Sequence, residues 1–195
     1  MLSTPPTGSE SSLLRARAPV REDSRIRPAT PEDEPLLWEM LYLALFVPPG
    51  SPPLPRDVVH HPDLARYVRQ WGREHDLGAV ALHPDRDEPI GAAWLRLWAA
   101  DDRGYGYVDA ETPELSMAVL PEHRGQGVGT RMLEYLLRAA DKRHGAVSLS
   151  VSASNPAVRL YRRLGFAVIG DDGASLTMKR LRGGQSQREQ GPTKR

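Results

Sequence analysis

The chain has 195 residues, with 26 Lys and Arg against 25 Asp and Glu, six His and no Cys. The lack of cysteine excludes disulfide scaffolds, thiolate zinc sites, redox CxxC chemistry and a catalytic thiol, and a net charge of +1 argues against a non-specific nucleic-acid binder. No apolar stretch approaches the ~18 residues of a membrane helix, and MLSTPPTGSESSLL lacks the charged start and apolar run of a secretory signal. The expectation is a cytoplasmic protein with neither a membrane nor a nucleic-acid partner.

Residues 1–24 are rich in Ser, Pro, Thr, Arg and Glu without apolar periodicity, and 182–195 hold no large apolar side chain. Neither segment buries enough surface to offset its ordering entropy, so both read as disordered tails around one domain at 25–181. Within it, 24–27 reads as a short strand stopped by Pro28. Thr30-Pro31-Glu32-Asp33 then reads as a helix start, with Thr as cap, Pro at the first helical position and acids in the first turn. That helix carries Leu36, Leu37, Met40, Leu41 and Leu45 on one side. Five prolines and a glycine in 47–55 make a loop, and Leu64, Tyr67, Val68 and Trp71 predict a second helix over 62–73.

Strands are predicted at Leu77–Leu82 and 89–99, followed by a two-glycine connection at 101–107 and a third strand at 113–120 closed by Pro121. Val128, Met132, Leu133, Leu136, Leu137 and Ala140 form a helical stripe that stops at Gly145. Residues 147–154 alternate, with Leu149, Val151 and Ala153 on one face and Ser148, Ser150, Ser152 and Ser154 on the other. Asn155-Pro156 opens a short helix ending at Gly165, and strands at 166–169 and 175–181 flank an Asp-Asp-Gly turn. The order β-α-α-β-β-β-α-β-α-β-β is that of an α/β protein with a mixed sheet.

Between the third strand and the long helix the chain turns through Arg124-Gly125-Gln126-Gly127-Val128-Gly129. Three glycines in five positions admit backbone close to a ligand, and free N–H groups at a helix start favour an anion such as a phosphate. A Gly-rich turn with one exposed arginine is the plain alternative. The dinucleotide pattern G-x-G-x-x-G fails because Thr130 stands at the sixth position from Gly125; no Gly-Lys pair supplies a Walker loop, and the kinase motifs HRD and DFG are missing. What fits is R-x-x-G-x-G at Arg124, Gly127 and Gly129, after a strand, a proline and an acid.

With these residues the chain resembles the GNAT (Gcn5-related) N-acetyltransferases, in order of elements over 25–181 and most closely over 114–166. A second hallmark, S-x-x-N-P-A-x-x-L-Y-x-x-x-G-F, runs from Ser152 to Phe166. The resemblance implies a mixed, mostly antiparallel central sheet flanked by helices, and acetyl-CoA as co-substrate. It implies that Arg124, Gly125, Gln126, Gly127, Val128, Gly129 and Thr130 bind the pyrophosphate. Met117, Ala118 and Val119 would pair with the pantetheine arm on a strand whose bulge splays it from the next. Asn155 would cap its helix and contact the cofactor, and the Tyr161 hydroxyl would protonate the departing thiolate. A phenol with a pKa of about 10 is protonated at neutral pH yet able to donate.

Without a cysteine an acyl-cysteine route is closed, leaving direct transfer to a neutral amine, with the Val119 N–H as donor to the carbonyl oxygen. Glu111 and Glu114, with Asp109 behind them or a water chain instead, are the candidates to take the amine's proton. No metal site is expected, because the six histidines form no HExxH or paired helical face. The resemblance places a small-molecule or peptide amine among Trp38, Tyr42, the proline loop, Trp94, Trp98 and the acidic, aromatic segment 101–111. It leaves a homodimer open. A non-catalytic acyl-CoA-binding sensor is the competing function.

Overall fold

A computed structural model describes residues 24–99 and 101–184. Of the expected tails at 1–24 and 182–195, all but Ser24 and residues 182–184 lie outside these residues. Ser24, placed in the N-terminal tail by sequence, is buried, and its Oγ accepts a hydrogen bond from Arg131 Nη2 at 2.8 Å. Residues 182–184 form one further 3-10 turn after the last strand.

The strands are β1 (Arg25–Pro28), β2 (Leu77–Leu82), β3 (Pro89–Arg96), β4 (Glu114–Val119), β5 (Ala146–Ser152), β6 (Ala167–Asp171) and β7 (Ser175–Leu181); the helices are α1 (Glu34–Ala44), α2 (Pro62–Ala65), α3 (Val128–Ala140) and α4 (Val158–Arg163). The seven strands form one sheet in the order β1-β2-β3-β4-β5-β7-β6, antiparallel except at the parallel β4–β5 junction. The predicted element order and the mixed, mostly antiparallel sheet are both present.

Each face of the sheet carries its own core. On one face α3 lays Val128, Met132, Leu133, Leu136, Leu137 and Ala140 against Ala79, Ala93, Leu115 and Leu149, and α4 adds Val158 and Tyr161. The stripe repeats at helical spacing, so one side of α3 is wholly apolar and buried. On the other face α1 and the 64–71 segment bring Leu37, Met40, Leu41, Tyr67, Val68 and Trp71 against Val80, Ala92, Trp94 and Trp98.

Several boundaries differ from the sequence reading. The first helical turn, Pro31–Asp33, is 3-10 before α1 begins. Asp33 Oδ2 accepts from the Thr30 N–H at 2.8 Å, while Arg27 holds both Asp33 oxygens at 2.7 Å and keeps that carboxyl below the usual range. Leu45 lies just past α1 in extended backbone. The predicted second helix over 62–73 contracts to α2 followed by turns. The reason is Arg96, which is 1% exposed and lies on β3. Its Nη1 donates to the carbonyls of Arg66 (2.7 Å) and Arg69 (2.9 Å), its Nη2 to that of Gln70 (3.3 Å) and to Asp76 Oδ2 (2.6 Å). Trp94 Nε1 takes the Tyr67 carbonyl at 2.9 Å. These carbonyls face side chains of the sheet, and positive φ at Gln70 (57°) and Gly72 (100°) turns the chain away.

The strands predicted over 89–99 and 113–120 shorten to β3 and β4, and the short helix begins at Val158 after a turn at 155–157. The serine side of β5 is not a solvated face: Ser148 is 0% exposed, and Ser150 and Ser152 are half-buried.

Candidate active site

β4 and β5 share a single paired position, Glu114 with Ser148, and then part. The expected bulge in β4 is absent, because its register with β3 runs unbroken from Arg96–Glu114 to Gly91–Val119. The opening comes instead from divergence of the two parallel strands. Gly106 sits near their junction, where an added Cβ would stand 2.6 Å from the backbone of Leu149 and Ser150.

Beyond the junction lies a cleft of about 240 Å³. Leu115, Ser116 and Met117 of β4 and Ser150, Val151 and Ser152 of β5 form its floor and sides, with Asn155 and Tyr161 at one flank. At the other flank stand Leu41, Ala44, Leu45, Phe46, Leu64, Tyr67 and Tyr105. Strand geometry fixes which backbone groups face the opening. The Leu120 N–H donates to Ile90 O on the β3 side at 2.9 Å, so alternation turns the N–H groups of Val119 and Met117 toward β5. The Val119 carbonyl, on that same side, accepts from Arg124 Nε at 2.9 Å.

Glu114 occupies the vertex of the opening, 3% exposed. Its Oε1 accepts from the Tyr67 hydroxyl and the Gly106 N–H, each at 2.8 Å, and its Oε2 from Trp98 Nε1 at 2.7 Å. A carboxylate offers about four accepting sites, so one remains on Oε2. Burial pushes the carboxyl pKa up and outweighs the three hydrogen bonds that stabilise the anion. Tyr67 also accepts from the Tyr105 N–H at 2.7 Å. Burial, then the Glu114 charge beside it, drives its phenol far above the usual range.

Tyr161 is 8% exposed and set edge-on to Phe166, with ring centroids 5.9 Å apart. Burial pushes its hydroxyl up to about 12, so it carries its proton at neutral pH. Asn155 Oδ1 accepts from the Ala157 N–H at 2.9 Å, a cap on the turn into α4, and the residue also borders the cleft.

At the far end of β4 the chain passes through a 3-10 turn, Pro121–His123, into the glycine segment. Gly125 (φ 75°) and Gly127 (φ 82°) lie in the left-handed region, and Gly127 caps α3. The first backbone bond of α3 runs from the Arg131 N–H to Gly127 O at 3.1 Å. The N–H groups of Val128, Gly129 and Thr130 therefore precede any intrahelical partner and point out along the helix axis. Gly129 serves packing, since a Cβ there would meet Met117 Cε at 3.2 Å.

Glu111 is exposed and stands away from this cleft. It lines a wider groove at the N-terminal ends of β4 and β5 with Glu74, His75, Arg143 and His144. Asp109 accepts from Lys179 Nζ at 3.2 Å. Trp94 and Trp98 are core residues, Tyr42 donates to the Leu54 carbonyl at 2.8 Å, and Asp102 pairs with Arg66 at 2.8 Å. Of the flank opposite Tyr161, Tyr105 belongs to the segment expected around the acceptor, while the other residues are ones that sequence read only as core or passed over. Tyr67 is the chief example, because its partner Glu114 lies 47 positions away.

A family model described as acetyltransferase (GNAT) family matches residues 38–166. The chain belongs to the GNAT acetyltransferase family. This GNAT-family chain is 35% identical over 82 residues to a mycothiol acetyltransferase of Acidothermus cellulolyticus, covering 37% of this chain and 24% of that protein, so it spans about a quarter of the relative's length. Among solved structures it resembles a putative GNAT-family acetyltransferase from Bordetella pertussis (25% identity, 82% of this chain and 97% of that one, TM-score 0.58). It has the same fold as a phosphinothricin acetyltransferase from Sinorhizobium meliloti solved in complex with AcCoA (19% identity, 82% and 89% covered, TM-score 0.59). Among the described residues of this GNAT protein no helix is long and apolar enough to cross a membrane. Nor do three or more His, Asp or Glu side chains gather among them as a metal site would require.

Proposed function

We propose that this GNAT acetyltransferase transfers an acetyl group from acetyl-CoA directly to a primary amine. The observation that carries the reading is the cleft itself: one opening in the sheet is bordered by a buried carboxylate, Glu114, and a buried protonated phenol, Tyr161. The divergence of β4 from β5 leaves the Met117 and Val119 N–H groups facing a space wide enough for an extended chain with amide groups, which suits the pantetheine arm. The left-handed glycine turn and the open N–H groups of Val128, Gly129 and Thr130 suit the pyrophosphate. Arg124 and Gln126 border the same turn, and Asn155 borders the cleft below it.

Acetyl-CoA supplies the activated carbonyl. The Glu114 carboxylate takes a proton from the amine nitrogen as the new C–N bond forms. The Val119 N–H faces the side on which negative charge develops at the carbonyl oxygen. As the C–S bond breaks, the Tyr161 hydroxyl gives its proton to the sulfur. The proton held by Glu114 leaves to solvent while Tyr161 regains one, so the balance is an amide and a free thiol. Glu111, in the other groove, takes no part in this assignment.

Tyr161→Phe tests the reading with the ring kept and only the hydroxyl removed. General-acid catalysis contributes roughly 10²–10⁴-fold, so thiol release with a saturating amine should slow by at least about 100-fold. Acetyl-CoA binding measured by calorimetry should stay within about threefold of wild type, a modest change on the affinity scale. An unchanged turnover number would remove Tyr161 from the reaction.

A further inference from the structure

The two flanks of the cleft differ in chemistry, and the flank away from Tyr161 carries information about the acceptor. Its wall is apolar: Leu41, Ala44, Leu45 and Phe46 from the end of α1 and the residues after it, and Leu64 from α2. Two tyrosines complete it. The rings of Tyr67 and Tyr105 lie nearly parallel, 10° apart with centroids at 6.4 Å. Tyr67 is buried, while Tyr105 is 64% exposed, so the outer ring is an aromatic rim over the entrance. An apolar body placed here would leave water against carbon and ring surfaces on all but one side.

Charge on this surface is equally restricted. Among the described residues that border the cleft, Glu114 is the one carboxylate, and no Lys, Arg or His is among them. Of the acids in the neighbouring segments, Asp63 and Asp102 both pair with Arg66, and Glu39 with Arg56. A second ammonium group on the acceptor would find no second carboxylate in the cleft lining. A carboxylate on the acceptor would lie beside Glu114 with no cation to offset it, and like charges that close repel.

We propose that the acceptor is a small monoamine carried on an aliphatic or aromatic body, with neither a carboxylate nor a further cationic group. The amine nitrogen is held beside Glu114, the body packs between the α1–α2 wall and the Tyr67–Tyr105 pair, and polyamines and free amino acids are poor fits. This assignment rests on the amine-transfer reading above and narrows it.

The test is steady-state release of free thiol from acetyl-CoA by the full chain with four amines: n-hexylamine, 2-phenylethylamine, spermidine and phenylalanine. Phenylalanine matches 2-phenylethylamine but for the carboxylate. A single carbon unit in an apolar pocket shifts selectivity by about tenfold or more. The apolar monoamines should therefore exceed both others in kcat/KM by at least about tenfold. In Leu45→Asp, which adds a second carboxylate to the wall, the preference should move toward spermidine. A wild-type preference for spermidine or phenylalanine overturns the substrate class and leaves amine transfer standing. No thiol release above the amine-free rate with any of the four removes the class and the amine-transfer reading together. Because the wild-type panel decides between these outcomes, a poorly folded Leu45→Asp does not protect the proposal.

Discussion

Glu114 is a carboxyl group in a place that disfavours its charge. Three donors hold the anion, yet burial still raises the pKa above the ordinary carboxyl value of 4.5. A base must be deprotonated to act, so the acid limb of kcat/KM should lie above the ordinary carboxylate range, with activity lost as pH falls through it. The groups around Glu114 are Tyr67 from the α2 side, Trp98 after β3 and the Gly106 backbone of the 101–110 segment; no cation is among its hydrogen-bond partners. Removing one donor destabilises the anion further, so Tyr67→Phe should move that limb to higher pH with the same amine. Profiles of the two proteins taken side by side cancel the amine's own titration. A limb that stays in place would show that Glu114 is not the group titrating. Of these residues Tyr161, Asn155 and the glycines belong to local patterns and are legible in sequence. Tyr67 is not, because its hydroxyl matters only through a carboxylate brought near by the sheet.

At the scale of elements, the segment after α2 shows where local signals lose to packing. Leu64, Tyr67, Val68 and Trp71 have helical spacing and are buried or half-buried as that spacing demands. Yet the helix stops at Ala65, because the Arg96 guanidinium takes the carbonyls of Arg66, Arg69 and Gln70. Arg96 in turn is held to Asp76, with both side chains nearly inaccessible (1% and 3%). A buried pair of this kind adds little over an apolar substitute, but losing one member strands the other. Arg96→Leu should therefore cost about 3–5 kcal/mol in urea unfolding, the penalty for an Asp76 without its cation and for the Arg66 and Gln70 carbonyls left without a donor. A loss below about 1 kcal/mol, the range of an exposed pair, would mean that water replaces the guanidinium. No reading of 89–96 as an alternating strand reveals this. An arginine in a strand is ordinarily assigned to a solvated face.

The whole molecule divides its work between the two layers beside the sheet. The end of α1, α2, Tyr67 and Tyr105 build the apolar flank of the cleft, Asn155 and the α4 residue Tyr161 stand at the other, and the glycine turn and α3 lie beyond the far end of β4 on the face of the sheet that α4 shares. Substitutions in each layer should therefore separate in kinetics. Gly127→Glu forces a side chain into the left-handed region at φ 82°, a strain of roughly 1–2 kcal/mol, and sets a negative charge where the pyrophosphate would lie. It should weaken acetyl-CoA binding by more than tenfold, about 1.4 kcal/mol, with the helical circular-dichroism signal retained. Phe46→Ala should instead raise the KM of an apolar amine and leave acetyl-CoA affinity as it is. If both substitutions change the same constant, the cleft does not divide in this way.

The sequence by itself determined the order of elements and the glycine turn, because each rests on contacts or backbone preferences within a few positions, while Asn155 and Tyr161 were singled out by the motif through which the chain resembles its family. The apolar periodicity of α3 and the glycines at positive φ are local physics and survive folding unchanged. Only the tertiary structure decided between Glu111 and Glu114 as a residue of the cleft. Three positions apart in sequence, they fall in different grooves, since β4 begins at Glu114 and carries it to the vertex while Glu111 stays outside. The structure alone also placed the opening where two parallel strands share one paired position, rather than at a bulge in β4. The zero cysteines of the chain leave it no thiol chemistry. A single carboxylate, with no other charged side chain among the described residues that line the cleft, is what points to the acceptor, and that arrangement exists only once segments 41–46, 64–67, 105 and 114–117 converge.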